Sequence, residues 1–281
     1  MTSTRTALLR ALLEPARVDD PDQVDPELVR GLAPWLDRAC RAYFRLEVRG
    51  IERVPPGAAL VVGNHNSGAS FVEAIGVGAR FLRERPDESW NGLAHDKIVE
   101  LPVLGKLLAR IGAVRAGHDT AAAAFARGRK VVVFPGGNAE AFRPYRDRHR
   151  IAFEGRTGWL KLALRHRVPV VPMVNIGGHE GFVVLRDGRR LARAIGADRW
   201  MRSDTWPLIV GLPWGVTLGP VFHLPLPVKC VTEFLPPVHL GEPPEAADDP
   251  AVLRRLYDDV TGRMQAALDA LAAERARTGR F

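Results

Sequence analysis

Only two cysteines, Cys40 and Cys230, occur in 281 residues, too few for a disulfide framework and without any metal-ligand spacing around them. That excludes a disulfide-stapled scaffold and points to a reducing compartment. A secretory leader is not expected either. The opening MTSTRTALLRALLEP carries Leu pairs, but Arg10 interrupts the apolar block and no cleavage pattern follows. No internal repeat or low-complexity tract is visible beyond the alanines at 121–124. Residues 206–228 hold no Asp, Glu, Lys or Arg, a length that raises the question of a membrane span. Five prolines (Pro207, Pro213, Pro220, Pro225, Pro227) would break a spanning helix. The expectation there is buried strands and loops, with a lip able to touch lipid.

What is present fits a globular chain: 46% hydrophobic and 26% charged residues allow one large core, or one core with a helical appendage. The net charge is +8 and is concentrated. Across residues 141–202, thirteen Arg and one Lys stand against Asp147, Glu154, Glu180, Asp187 and Asp198, a local net of +9. Such a surface attracts polyanions, either nucleic acid or an anionic bilayer. The stretch RPYRDRHRI interleaves aromatic and basic residues, but no recognised nucleic-acid module accompanies it, so a basic lipid-facing loop is the preferred reading.

Residues 4–17 suit a short amphipathic helix, and DDPDQVDPE suits a break with Asp25 as N-cap and Pro26 at the first helical position. A helix is expected over residues 27–46, kinked at Pro34, because Leu28, Leu32, Trp35, Leu36, Cys40 and Tyr43 recur at three- and four-residue spacings. Strand patterns (FRLEVRGIERVP, AALVVGNH, WNGLAH, KVVVFPGG, VPVVPMVNIGG) then alternate with helical ones (FVEAIGVGARFLRE, LPVLGKLLARIG, TAAAAFARGR, GWLKLALRHR). A stripe through Leu253, Leu256, Val260, Met264, Leu268 and Leu271 makes a closing helix. The predicted fold is α/β: a central, mostly parallel sheet flanked by helices, with an N-terminal helical segment. Residues 1–46 are expected to form that segment, lying on a membrane or capping a ligand channel, and residues 47–281 to form the α/β domain with its closing helix.

Three strand ends carry small or reactive residues: GNHNSG, FPGGNAE and NIGGHE. Parallel strands present such ends at one edge, so His65, Gly136, Gly137, Glu140 and His179 are expected to face one crevice. A histidine with a nearby acid and a pair of glycine amides has the parts for acyl transfer to a hydroxyl: base, tautomer-fixing carboxylate and oxyanion donors. No Ser or Cys nucleophile is needed if the acyl donor is a thioester. No Gly-x-Ser-x-Gly elbow is present.

Four blocks, in order across roughly residues 45–240, resemble the glycerolipid acyltransferases related to lysophosphatidate acyltransferase. They are NHNSGASFVE (the histidine-plus-acid block), GAVRA (Gly-x-x-Arg), FPGGNAEAFRP (Phe-Pro-Glu-Gly) and VPVVP. Two departures stand out. The family's acid is Asp five positions after His, where this chain has Ser70; the first carboxylate is Glu73, eight positions on, a spacing similar to an actinobacterial NH-small-small, FPGG subgroup. Where the family reads Glu-Gly-Thr-Arg, with Arg gripping an acceptor phosphate, this chain reads Gly136, Gly137, Asn138, Ala139.

The resemblance implies an O-acyltransferase acting from acyl-CoA or acyl-carrier protein on a lipid hydroxyl, either a lysophospholipid or a neutral glyceride or alcohol. His65 and Glu73 are the implied catalytic pair. Gly136, Gly137, Asn138 and Glu140 are the implied oxyanion and substrate ligands, Arg115 and Arg143 the candidate acceptor-phosphate ligands. Asn64, Ser70 and His179 are candidates for a supporting layer. No metal or redox cofactor is implied. The expected partners are the thioester donor, the lipid acceptor and an anionic membrane surface, and the expected location is peripheral, on the cytoplasmic side. A non-catalytic acyl-lipid-binding homologue and a lipid or thioester hydrolase remain the alternatives.

Overall fold

In the computed structural model, which describes residues 4–66, 68 and 72–278, ten strands are found among the described residues. They are β1 Glu47–Arg49, β2 Ala59–Gly63, β3 Trp90–Ala94, β4 Ala113–Arg115, β5 Lys130–Val133, β6 Val170–Ile176, β7 Val183–Arg186, β8 Leu208–Gly211, β9 Gly215–Leu218 and β10 Val231–Phe234. Seven make a central sheet in the order β1-β10-β6-β2-β5-β3-β4, and β7-β8-β9 make a separate sheet. Within the central sheet every pairing is parallel except β10 on β6.

Both faces of that sheet are covered, which is why its middle strands read as mostly hydrophobic runs rather than alternating ones. All five residues of β2 are buried. Leu60 and Val62 pack into one core cluster, Ala59 and Val61 into the other, as the two-residue period of a strand requires.

The helices are α1 Thr4–Leu13, α2 Pro26–Tyr43, α3 Val72–Glu84, α4 Asp96–Val99, α5 Leu104–Arg110, α6 His118–Ala126, α7 Gly137–Ala141, α8 Gly158–His166, α9 Arg189–Ala194, α10 Ala197–Trp200 and α11 Pro250–Thr278. One face of the sheet is covered by α6, α8 and α11, whose Leu160, Leu164, Leu256, Val260, Met264 and Leu268 join Leu60 and Val170. Burying each such aliphatic chain is worth roughly 1.5–3 kcal/mol. The other face takes Val77 and Phe81 of α3, and α2 packs against α3. Asp25 caps α2, accepting from the N–H groups of Glu27 and Leu28, and Pro34 lies inside the helix.

The N-terminal helix α1 buries Ala7 and Ala11 against Leu28, leaving Leu9 and Leu13 exposed. Among the described residues, no helix is long and apolar enough to cross a membrane. The strand expected over residues 44–55 is only the three residues of β1, followed by a short 3-10 turn at Ile51–Arg53. The GAVRA block contains an edge strand, β4, too short to announce itself by alternation.

Residues 206–228 correct the sequence reading most. They include the β8–β9 hairpin, but Leu212, Trp214, Val216, Leu218, Phe222 and Leu224 are exposed rather than buried. The small sheet packs through Ile209 and Val184 on Phe182, Ala141 and Phe142. Hydrophobicity implies burial only where a second layer covers a sheet.

Candidate active site

Strands β6, β2 and β5 are neighbours and parallel, so the turns that follow them meet at one edge of the sheet. There, His65 follows β2, the Gly136–Gly137 turn follows β5, and His179 follows β6.

His65 stacks on Phe134 with ring centroids 4.6 Å apart, and its Nδ1 lies 3.0 Å from Glu73 Oε1. Glu73 sits in the first turn of α3 and is buried; the same oxygen accepts the Asn66 N–H at 3.2 Å. A carboxylate at Nδ1 fixes the tautomer with the proton on that nitrogen and leaves the Nε2 lone pair available. The longer carboxylate at the eight-residue spacing therefore reaches the imidazole from one helical turn.

Below this pair lies a buried charge cluster. Glu140 is fully buried; it accepts the His65 N–H at 2.9 Å and the Ala152 N–H at 2.9 Å, and pairs with Arg143 at 3.1 Å. Burial pushes the Glu140 carboxyl above the usual carboxylate range, against the pull of Arg143. Expected as a substrate ligand, Glu140 instead ties the backbone of His65 to the loop around Ala152. Arg143, expected at an acceptor phosphate, is likewise buried, spending another N–H on the Arg148 carbonyl at 3.0 Å.

The glycines are explained by what surrounds them. A Cβ at Gly136 would lie 2.3 Å from the Glu140 side chain, and Gly137 has φ +53°, a conformation L side chains rarely adopt. The Gly137 N–H donates to the Phe134 carbonyl at 3.2 Å, closing the turn. Gly137 and Asn138 line the cavity described below; Gly136 lies behind them, against Glu140.

Asn64 and Asn175 clasp β2 to β6: Asn64 Nδ2 donates to the Asn175 carbonyl at 3.0 Å, Asn175 N to Asn64 Oδ1 at 2.7 Å, and Asn175 Nδ2 to the Asn64 carbonyl at 2.9 Å. His179 is buried, with Nδ1 3.1 Å from Asn66 Oδ1, and burial followed by Arg143 holds its pKa well below the ordinary histidine value. Ser70 lies outside the described residues.

A cavity of about 690 Å³ opens beside the imidazole, lined by His65, Glu73 and Phe134 and by apolar side chains of α2, α3 and β3. Its volume suits a chain-like apolar ligand. Two cations that the sequence reading missed also line it, Lys97 and Arg156. Arg156 donates to the Pro135 and Gly136 carbonyls at 3.0 and 2.9 Å and pairs with Asp204 at 3.2 Å, while Lys97 lies 3.5 Å from Glu100. Arg115, at the sheet edge, is not brought to the cavity; it is held by Asp19, Asp96 and Glu100 at 2.8, 3.2 and 3.4 Å. Neither cysteine is poised as a thiolate, since burial pushes Cys40 up to about 11 and Cys230 up to about 12.

Residues 45–176 match the family model Acyltransferase. An uncharacterized protein of Mycobacterium tuberculosis is 33% identical over 245 residues, 86% of this chain and 66% of that relative. One of Mycobacterium leprae is 31% identical over 247 residues, 87% of this chain and 65% of the relative. The chain thus spans just under two thirds of these relatives' length. Diacylglycerol O-acyltransferase 2 of Xenopus tropicalis is 26% identical over 173 residues, 57% of this chain and 46% of that protein. The crystal structure of the 1-acyl-sn-glycerophosphate (LPA) acyltransferase from Thermotoga maritima shares the fold, with a TM-score of 0.54 at 16% identity over 95% of this chain and 87% of that one.

Proposed function

We propose, from the premise that the chain belongs to the glycerolipid acyltransferase superfamily, that it moves a fatty acyl group from acyl-CoA or acyl-carrier protein to the hydroxyl of a neutral lipid acceptor, a glyceride or long-chain alcohol. The observation that carries this reading is the His65–Glu73 pair at 3.0 Å beside an apolar cavity of about 690 Å³. His65 Nε2 takes the proton from the acceptor hydroxyl as its oxygen attacks the thioester carbonyl. Glu73 holds the tautomer and stabilises the imidazolium that forms. With the Gly137 N–H closing the turn on the Phe134 carbonyl, the amide of Asn138, at the cavity wall, is assigned to the oxyanion, and collapse of the tetrahedral intermediate breaks the C–S bond, with the thiolate taking the proton back from His65.

A neutral acceptor is favoured over a phosphorylated one because the cations at and near the site are already engaged. Arg115, Arg143, Arg156 and Lys97 each pair with at least one carboxylate. A phosphate would have to displace those partners, whereas a glyceride hydroxyl needs none of them. The name of the Xenopus relative, an O-acyltransferase of diacylglycerol, supports the same choice. The test is to offer labelled acyl-CoA and acyl-carrier protein with diacylglycerol, monoacylglycerol, a long-chain alcohol or lysophosphatidate. Acylated neutral lipid is the expected product. Acylation of lysophosphatidate alone would refute the choice of acceptor, and free fatty acid alone would make the protein a hydrolase.

A further inference from the structure

We infer that the hairpin face spanning residues 206–228 docks on an anionic lipid bilayer and sets the cavity mouth against it. Three observations carry this. The segment has no Asp, Glu, Lys or Arg, yet Leu212, Trp214, Val216, Leu218 and Leu224 are all more than 45% exposed. An apolar patch of this kind on a protein surface marks an interaction site. The Trp214 indole N–H is already satisfied by the Phe222 carbonyl at 2.8 Å, so its ring can enter an apolar medium without an unpaired donor.

The face is also continuous with the cavity. Pro220 and Phe222 line the cavity that holds His65, as do Leu32 and Leu36 of α2. The Tyr43 hydroxyl at the end of α2 donates to the Pro225 carbonyl at 2.9 Å, and Arg45 Nη2 to that of Pro227 at 2.7 Å, joining helix and hairpin segment. Exposed Trp35 and Tyr43 extend the apolar surface along α2.

Charge selects the occupant. Arg186, Arg190, Arg193 and Arg199, in β7, α9 and α10 next to the hairpin in sequence, are exposed, and no ion pair among the described residues engages them. Anionic headgroups complement those guanidinium groups while the apolar side chains enter the interface. A second copy of the chain would bring the same cations against themselves. Docking in this orientation lets a lipid acceptor pass from the bilayer into the cavity without crossing water. That last step rests on the acyl-transfer reading; the docking itself does not.

The test uses the full chain in co-sedimentation with vesicles of phosphatidylcholine alone and with 30% phosphatidylglycerol, a composition of roughly the anionic character at which a basic surface is attracted. The triple variant Trp214→Ser/Val216→Ser/Leu224→Ser should bind at least ~10-fold more weakly to both, with unchanged melting, since all three side chains are exposed. Arg190→Gln/Arg193→Gln/Arg199→Gln should lose the preference for anionic vesicles and its salt dependence. Leu9→Ser/Leu13→Ser, on α1, should bind as the parent does. Parental binding by the hairpin variant overturns the inference, as does a dimer in light scattering that the hairpin variant abolishes while vesicles capture no protein. Transfer assays separate the two readings: with vesicle-borne acceptor the hairpin variant should lose activity that it keeps with a dispersed short-chain acceptor. A parent that binds vesicles but acylates neither would refute the enzyme reading and leave the docking intact.

Discussion

Replacing Glu73 with Gln removes one negative charge from a position 3.0 Å from His65 Nδ1 while keeping the side chain's shape. In the transition state the imidazole is cationic, and two unit charges with centres ~4 Å apart attract by about 4 kcal/mol at an effective dielectric of 20. The amide still offers an oxygen to Nδ1–H, which retains roughly 1 kcal/mol. The net loss is about 3 kcal/mol, roughly a 10²-fold fall in kcat/KM at 1.36 kcal/mol per decade. If the amide presents its NH2 to Nδ1 instead, the tautomer inverts and the loss deepens. Folding should survive, because a buried carboxylate is exchanged for a neutral group of equal volume. The assay is initial-rate transfer of labelled acyl groups alongside thermal melting. A Glu73→Gln protein that melts like the parent and keeps more than half its rate would refute the argument. Glu73→Asp, about one methylene shorter, should lose the contact and behave like the Gln variant.

Two further outcomes follow from the buried cluster. Gly136→Ala drives a methyl into Glu140, so we expect overpacking of about 1–3 kcal/mol, a melting temperature lower by several degrees and reduced transfer; unchanged melting would contradict the packing. Stability should also fall on acidification. His149, His179 and His223 all have pKa values lowered, chiefly by burial. Above their unfolded pKa, about 6.5, folded and unfolded states are both unprotonated and nothing is lost. As pH falls through 6.5 the unfolded chain binds protons that the folded chain refuses, costing up to ~1.4 kcal/mol per pH unit per histidine. Glu140, raised by burial, acts in the opposite sense: its contribution is fully present below the ordinary carboxylate pKa and is lost as pH rises from that value through the raised one. Comparing the melting temperature against pH for the parent and His179→Asn isolates the histidine, and identical slopes between pH 6.5 and 5 would refute its assignment.

How far the sequence reached depends on which physical rule each segment obeys. Strands β2, β5 and β6 were legible because both faces of the sheet are covered and the runs are mostly apolar, with Lys130 and Asn175 as the polar exceptions. The start of α2 was legible because Asp25 and Pro26 carry a local capping signal. That Glu73 meets His65 was implied by the resemblance, which made it the first carboxylate after the histidine, and the 3.0 Å contact brings the two together. What escaped is set by tertiary structure. Glu140 in the first turn of α7 looks like an acid answering a helix dipole, yet it is a backbone clasp made with Ala152, twelve residues on. Arg156 comes back to the Pro135 and Gly136 carbonyls from twenty residues away with no local motif to announce it. Arg115 stands in a recognisable block, but carboxylates from Asp19 and Asp96, distant in sequence, hold it. Hydropathy alone also could not say whether residues 206–228 lie under a layer or face outward.

The central claim is that a hydroxyl proton passes to His65 as the acyl group leaves its thioester. The most direct measurement is transfer of a labelled acyl group to a neutral lipid by the parent and by His65→Ala, with thermal melting of both. A half-buried imidazole at a strand end contributes little to the core, so the variant should melt as the parent does while its transfer rate falls by roughly 10²- to 10⁴-fold. A His65→Ala protein that folds and transfers at the parental rate would contradict the account.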